Sequence, residues 1–142
     1  MTLCDVNIYL RAYRTDLPDH PFYYAWLNGL LRTPTTFAYS DIVLSAFVRI
    51  VTHARIFKTP TPLDEALTFT NVIRTHPAAI GLMPGAKHWN IFERLCKETR
   101  AQGNTVPDAY LAALAIESGV TWVTADSGFR NYRGLNWTLL EP

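Results

Sequence analysis

Short apolar runs that hand over to a helix-forming stretch at an aspartate are what most constrain this chain. The clearest is Thr2-Leu3-Cys4-Asp5-Val6-Asn7, in which an apolar strand delivers a carboxylate, and two residues later an amide, to a strand-to-helix turn. Thr35 to Tyr39 repeats the pattern before Ser40 and Asp41, and Val120 to Thr124 repeats it before Ala125 and Asp126. Ala78 to Leu82 and Asn136 to Leu140 read as two further short strands.

Helical patterning fills the gaps. Helices are expected from Asn7 to Tyr13, from Pro21 through Leu31, over Ile42 to Val51, from Leu63 towards His76, over His88 to Thr99 and over Ala109 to Glu117. Strands alternating with helices predict an α/β fold: three layers, α/β/α, around a central, mostly parallel sheet of four or five strands. With 142 residues and no internal linker, one domain over residues 1–142 is expected.

The formal net charge is +1, which excludes a protein that holds nucleic acid chiefly by bulk charge. It leaves room for a local basic rim, for which Arg49, Arg55, Lys58, Arg130 and Arg133 are candidates. Cys4 and Cys96 lack the spacing of a metal knuckle or redox pair and read as reduced thiols. No apolar run approaches the roughly 20 residues of a membrane helix, and a cytoplasmic protein is expected.

The acids divide into two groups. Glu65, Glu93, Glu98 and Glu117 fall on helix faces, as charges placed for solubility do. Asp5, Asp41 and Asp126 instead follow strands, and Asp108 opens the helix that leads into the fourth strand. In an open parallel sheet, ligands bind beyond the carboxyl ends of the strands, so these four are placed to share one rim. Gathered carboxylates repel one another unless a cation neutralises them, and a hard divalent ion such as Mg²⁺ or Mn²⁺ takes oxygen ligands. The chemistry that suits such a centre is phosphate-ester hydrolysis.

Singly, each acid has a plainer reading. Asp41 and Asp108 are good N-caps, and Asp126-Ser127-Gly128 is a good turn. Asp5 is harder to dismiss, because an unpaired carboxylate against an apolar strand is costly to desolvate. Asn7 and Thr124 are supporting candidates that can orient a carboxylate or a metal-bound water. His20, His53, His76 and His88 are scattered without ligand spacing.

Asp5-Val6-Asn7, the Ser40-Asp41 pair before Val43-Leu44-Ser45-Ala46-Phe47-Val48-Arg49, Pro107-Asp108-Ala109-Tyr110-Leu111, and Thr124-Ala125-Asp126 together resemble the PIN-domain toxins of the VapC type. The resemblance spans essentially the whole chain. It implies an α/β/α sandwich acting as a Mg²⁺- or Mn²⁺-dependent endoribonuclease on RNA, with tRNA or rRNA as substrate. It also implies a homodimer neutralised by a VapB-type antitoxin. By the same resemblance the catalytic acids are Asp5, Asp41, Asp108 and Asp126, the metal ligands Asp5, Asp108 and Asp126, and the supporting polar residues Asn7 and Thr124. The family's second acid is usually Glu; Asp41 stands in its place, one methylene shorter.

Two other classes fit acids at strand ends. A phosphorelay receiver needs a Lys near its last strands, and none lies beyond Lys97; an aspartyl-phosphate phosphatase needs an acid where Asn7 stands. A catalytically silent domain that binds a peptide or RNA is the third reading.

Overall fold

The computed structural model describes residues 1–142. Five strands, β1 (Thr2–Cys4), β2 (Phe37–Tyr39), β3 (Ala79–Gly81), β4 (Thr121–Thr124) and β5 (Trp137–Leu139), form one sheet in the order β3-β2-β1-β4-β5. Every strand pair is parallel, so the expected mostly parallel sheet is wholly so. Six helices cover it: α1 (Val6–Tyr13), α2 (His20–Arg32), α3 (Asp41–Val51), α4 (Leu63–Arg74), α5 (His88–Thr99) and α6 (Thr105–Ser118).

The order of the strands decides where a site can form. From β1 the chain works outward through β2 to β3, then crosses back to lay β4 on the other side of β1. The crevice of an open α/β sheet opens at such a reversal, here between the carboxyl ends of β1 and β4. The flavodoxin-like order 2-1-3-4-5, which receivers use, is a different one, and it removes the receiver reading.

Leu3, Trp122 and Val123 on these two central strands are almost wholly buried, as parallel strands covered on both faces must be. Helix α6 buries Ala109, Ala112, Ala113, Leu114 and Ala115 completely, its small side chains letting its backbone approach the sheet. It begins at Thr105, four residues before the expected Ala109, because Pro107 falls in a first turn whose N–H groups have no intrahelical partner to lose. Gly119, at φ 70°, ends it in the left-handed conformation that glycine adopts without strain.

Two contacts lay outside the sequence reading. Arg14, at the end of α1, donates to both Asp16 carboxylate oxygens (2.9 and 2.6 Å) and to the Thr59 carbonyl (2.8 Å). Its guanidinium lies 4.0 Å from the Phe57 ring centre, so one side chain ties residues 57–61 to α1. Glu117, read as an ordinary surface acid, accepts from the Gly85 and Lys87 amides at the entrance to α5 (2.7 and 2.9 Å).

Candidate active site

Asp5 follows β1, and its amide extends the ladder by donating to the Val123 carbonyl at 2.8 Å. Its backbone is thereby pinned to β4, and its side chain must point over the carboxyl end of the sheet. Oδ1 accepts from the Val6 amide at the start of α1 (2.7 Å). Oδ2 accepts from the Thr124 hydroxyl (2.7 Å) and from Asn7 Nδ2 (3.0 Å). The same Asn7 nitrogen reaches Thr124 Oγ1 (3.2 Å), and Asn7 Oδ1 accepts from the Ala125 amide (3.0 Å). The Asp126 amide closes the ring by donating to Thr124 Oγ1 (3.0 Å). Asp5, Asn7, Thr124 and the backbone carrying Asp126 thus form one hydrogen-bonded unit.

Asp5 is 6% exposed. Burial pushes its carboxyl up to about 6; the bonds from Thr124 and Val6 pull the other way, and the charges of Asp108 and Asp126 push it further up. Asp108, half-buried in the first turn of α6, is raised by burial and then by Asp126. Asp126 is exposed, and its Oδ1 caps the 3₁₀ turn Ser127–Asn131 by accepting from the Gly128 amide at 2.8 Å. None of the chain's ion pairs involves these three acids. Three carboxylates with no salt-bridge partner form a negative centre open to an external cation.

Asp41 is turned elsewhere. It occupies the first position of α3, and its carboxylate makes a two-point pair with Arg74 of α4 (2.8 and 3.3 Å) on the surface. The guanidinium of Arg74 also lies 5.5 Å from the centre of the Tyr39 ring. The structure therefore joins Asp5, Asn7 and Thr124 directly, sets Asp108 and Asp126 within electrostatic reach, and gives Asp41 a different partner.

The basic rim is sparser than the sequence suggested. Arg49 lies in the last turn of α3, and Arg55 and Lys58 lie in the following segment, which Arg14 holds to the far end of α1. Eight residues of helix span about 12 Å, so these three sit away from Asp5. Arg133 is paired with Glu98, which leaves Arg130, exposed in the 3₁₀ turn that Asp126 opens, as the candidate on the same segment as one of the acids. The histidines are structural where buried: His88 stacks on Phe92 and bonds the Tyr110 carbonyl (2.9 Å). Surface grooves of about 370 and 640 Å³ lie by Tyr13 and Glu65 at the opposite end of α1, away from the acids.

The donors are all oxygen, which suits a hard divalent ion. No three acid, histidine or cysteine side chains are already gathered closely enough to hold an ion by themselves. An ion of the Mg²⁺ type, which keeps several waters and takes one or two carboxylates, fits such an open arrangement.

An all-parallel sheet of this order with acids at its reversal point is the architecture of a PIN-type domain, and residues 2–135 match the PIN domain family. Ribonuclease VapC43 of Mycobacterium tuberculosis is 39% identical over 137 residues, 96% of this chain and 93% of that protein. The chain belongs to the PIN-domain family, on its VapC branch. VapBC2 from Rickettsia felis, solved bound to a promoter DNA fragment, shares the fold at a TM-score of 0.70 with 23% identity, covering 99% of this chain and 98% of that one. Mycobacterium tuberculosis VapC20, a Sarcin-Ricin loop cleaving toxin, does so at 0.70 with 14% identity over the full length of both.

Proposed function

We propose that this chain is the toxin of a type II toxin–antitoxin system: a metal-dependent endoribonuclease, one PIN-like domain over residues 1–142, that hydrolyses RNA phosphodiester bonds. The observation that carries the proposal is the hydrogen-bonded unit of Asp5, Asn7 and Thr124 at the sheet's reversal point, beside Asp108 and Asp126, with no internal cation. Family membership and 39% identity to a VapC ribonuclease support the same reading.

Asp5, with Asp108 and Asp126, would hold Mg²⁺ or Mn²⁺, which when bound offsets phosphate charge and lowers the pKa of a coordinated water. Thr124 and Asn7 hold Asp5 in one rotamer, and Asn7 and Thr124 also hold the Ala125 and Asp126 amides, so Asp5 and Asp126 are oriented together. Asp5 and Asp108 hold protons more strongly than ordinary carboxylates, and a bound cation would weaken that hold. Arg130 contributes a positive charge where an RNA phosphate would approach. The substrate proposed is an exposed loop of tRNA or rRNA, because the sequence of RNA is read in unpaired segments.

The Rickettsia felis neighbour is a toxin–antitoxin pair, and a VapB-type antitoxin is the partner proposed here. An antitoxin arginine would pair well with the uncompensated acids. A homodimer acting in the cytoplasm completes the proposal; no helix is long and apolar enough to cross a membrane. Incubating purified protein with cellular RNA and Mn²⁺ tests the reading. Cleavage that EDTA and Asp5→Asn both abolish is expected, and a parent without cleavage would refute it.

A further inference from the structure

Asp108 and Asp126 lie on segments joined by one hydrogen bond, and it comes from a residue without a place in the proposed chemistry. The Tyr132 hydroxyl donates to the carbonyl of Thr105, the first residue of α6, at 3.3 Å. Tyr132 is 7% exposed, its ring packs on Phe129, and its own amide closes the 3₁₀ turn that Asp126 opens. The bond is long for a hydroxyl, as expected where the carbonyl also serves the helix ladder. The need for such a tie is clear at both ends: α6 starts without a side-chain cap, since Asn104 makes no capping bond, and the two acids repel each other. Burial, then the charges of Asp108, Cys96 and Asp126, push the phenol up to about 12, so it stays a neutral donor beside the acids.

We infer that Tyr132 is a positioning residue that sets the separation of Asp108 and Asp126 by tying the start of α6 to the turn after β4. This rests on the proposed metal-dependent reading of the acids. Hydrophobic packing alone leaves a helix terminus free to shift by fractions of an ångström, and a two-carboxylate grip on a cation is sensitive to such shifts.

Tyr132→Phe removes the hydroxyl and keeps the ring. Tyr23→Phe is the matched control, because Tyr23 is also buried and donates to the Leu140 carbonyl at 2.9 Å, on a segment that carries none of the acids. Thermal unfolding of parent and variants is followed while MnCl₂ is titrated. Both variants should lose a similar few degrees without metal. The MnCl₂ concentration giving half of the stabilising shift should rise about three- to tenfold in Tyr132→Phe and stay at the parent value in Tyr23→Phe, and kcat should fall in Tyr132→Phe alone. Parent-like titration of Tyr132→Phe, or equal shifts in both variants, overturns the positioning role while leaving the metal reading intact. A parent that MnCl₂ does not stabilise overturns both.

Discussion

The Thr124 hydroxyl donates to Asp5 Oδ2 at 2.7 Å, joining the ends of two neighbouring parallel strands whose residues stand 119 apart in the chain. Asn7 bridges the same pair, so the most buried acid of the site is held by three groups from two segments. That support makes its carboxylate a fixed point, and its burial makes the charge expensive until a cation arrives.

Asp5→Asn should therefore separate stability from function. The metal-free variant should unfold at a higher temperature than the parent at pH 7, since a buried charge is removed. The gain is limited because the new amide meets the Asn7 N–H groups as a donor. RNA cleavage and the stabilising shift with MnCl₂ should both disappear. Thermal melts with EDTA or MnCl₂, beside a cleavage assay, check this.

The same group predicts a pH dependence. A carboxyl at about 6 in the fold, against 3.8 ordinarily, favours the protonated folded state. Its stabilising contribution is complete below about pH 4 and is lost as pH rises through about 6, amounting to about 3 kcal/mol. Urea unfolding in EDTA at pH 4, 5, 6 and 7 should show the stability difference between Asp5→Asn and the parent widening with pH.

Thr124→Val keeps shape and removes the hydroxyl that serves Asp5, Asn7 and the Asp126 amide. A cost of about 1–3 kcal/mol is expected from the buried groups left unpaired. Losing the Thr124 bond also raises the Asp5 carboxyl further, so the rise of cleavage with pH should move to higher pH. Thr124→Ser should restore both. Denaturant titration and a pH–rate profile report the two effects separately.

Asp41 and Arg74 form an exposed pair, and Asp41→Ala or Arg74→Ala should each leave the urea midpoint close to that of the parent. With its carboxylate turned to α4, Asp41→Ala should retain far more cleavage than Asp5→Asn. Rates for the two variants, measured side by side, decide whether Asp41 takes the role of the family's second acid.

Arg14→Ala should cost about 2–3 kcal/mol, because it breaks bonds to Asp16 and Thr59 and uncovers Phe57. Cleavage by the folded fraction should be unchanged, since this anchor lies at the far end of α1 from Asp5. Urea midpoints and specific activity below the melting range test both statements.

Much of this was legible in the residues. Apolar runs ending in Asp5 and Asp126, and the Ala-rich pattern after Pro107, are local signals, and they place the strands, the helices and most of the acids within a few residues of where they stand. The turn at Asp126-Ser127-Gly128 is legible, but its continuation as a 3₁₀ helix to Asn131 and the start of α6 at Thr105 are not, because the preferences of Ser127, Gly128 and Pro107 are shared by ordinary turns.

Local signals could not decide partnership. That β4 returns to lie beside β1, so that Thr124 reaches Asp5, follows from the order in which the sheet is assembled. That Asp41 turns to Arg74, and that Tyr132 reaches Thr105, follow from how helices and turns pack on that sheet. Side-chain periodicity reports the face a residue presents within its own element. Which side chain waits opposite is set by contacts between distant segments, and only the tertiary structure decides those.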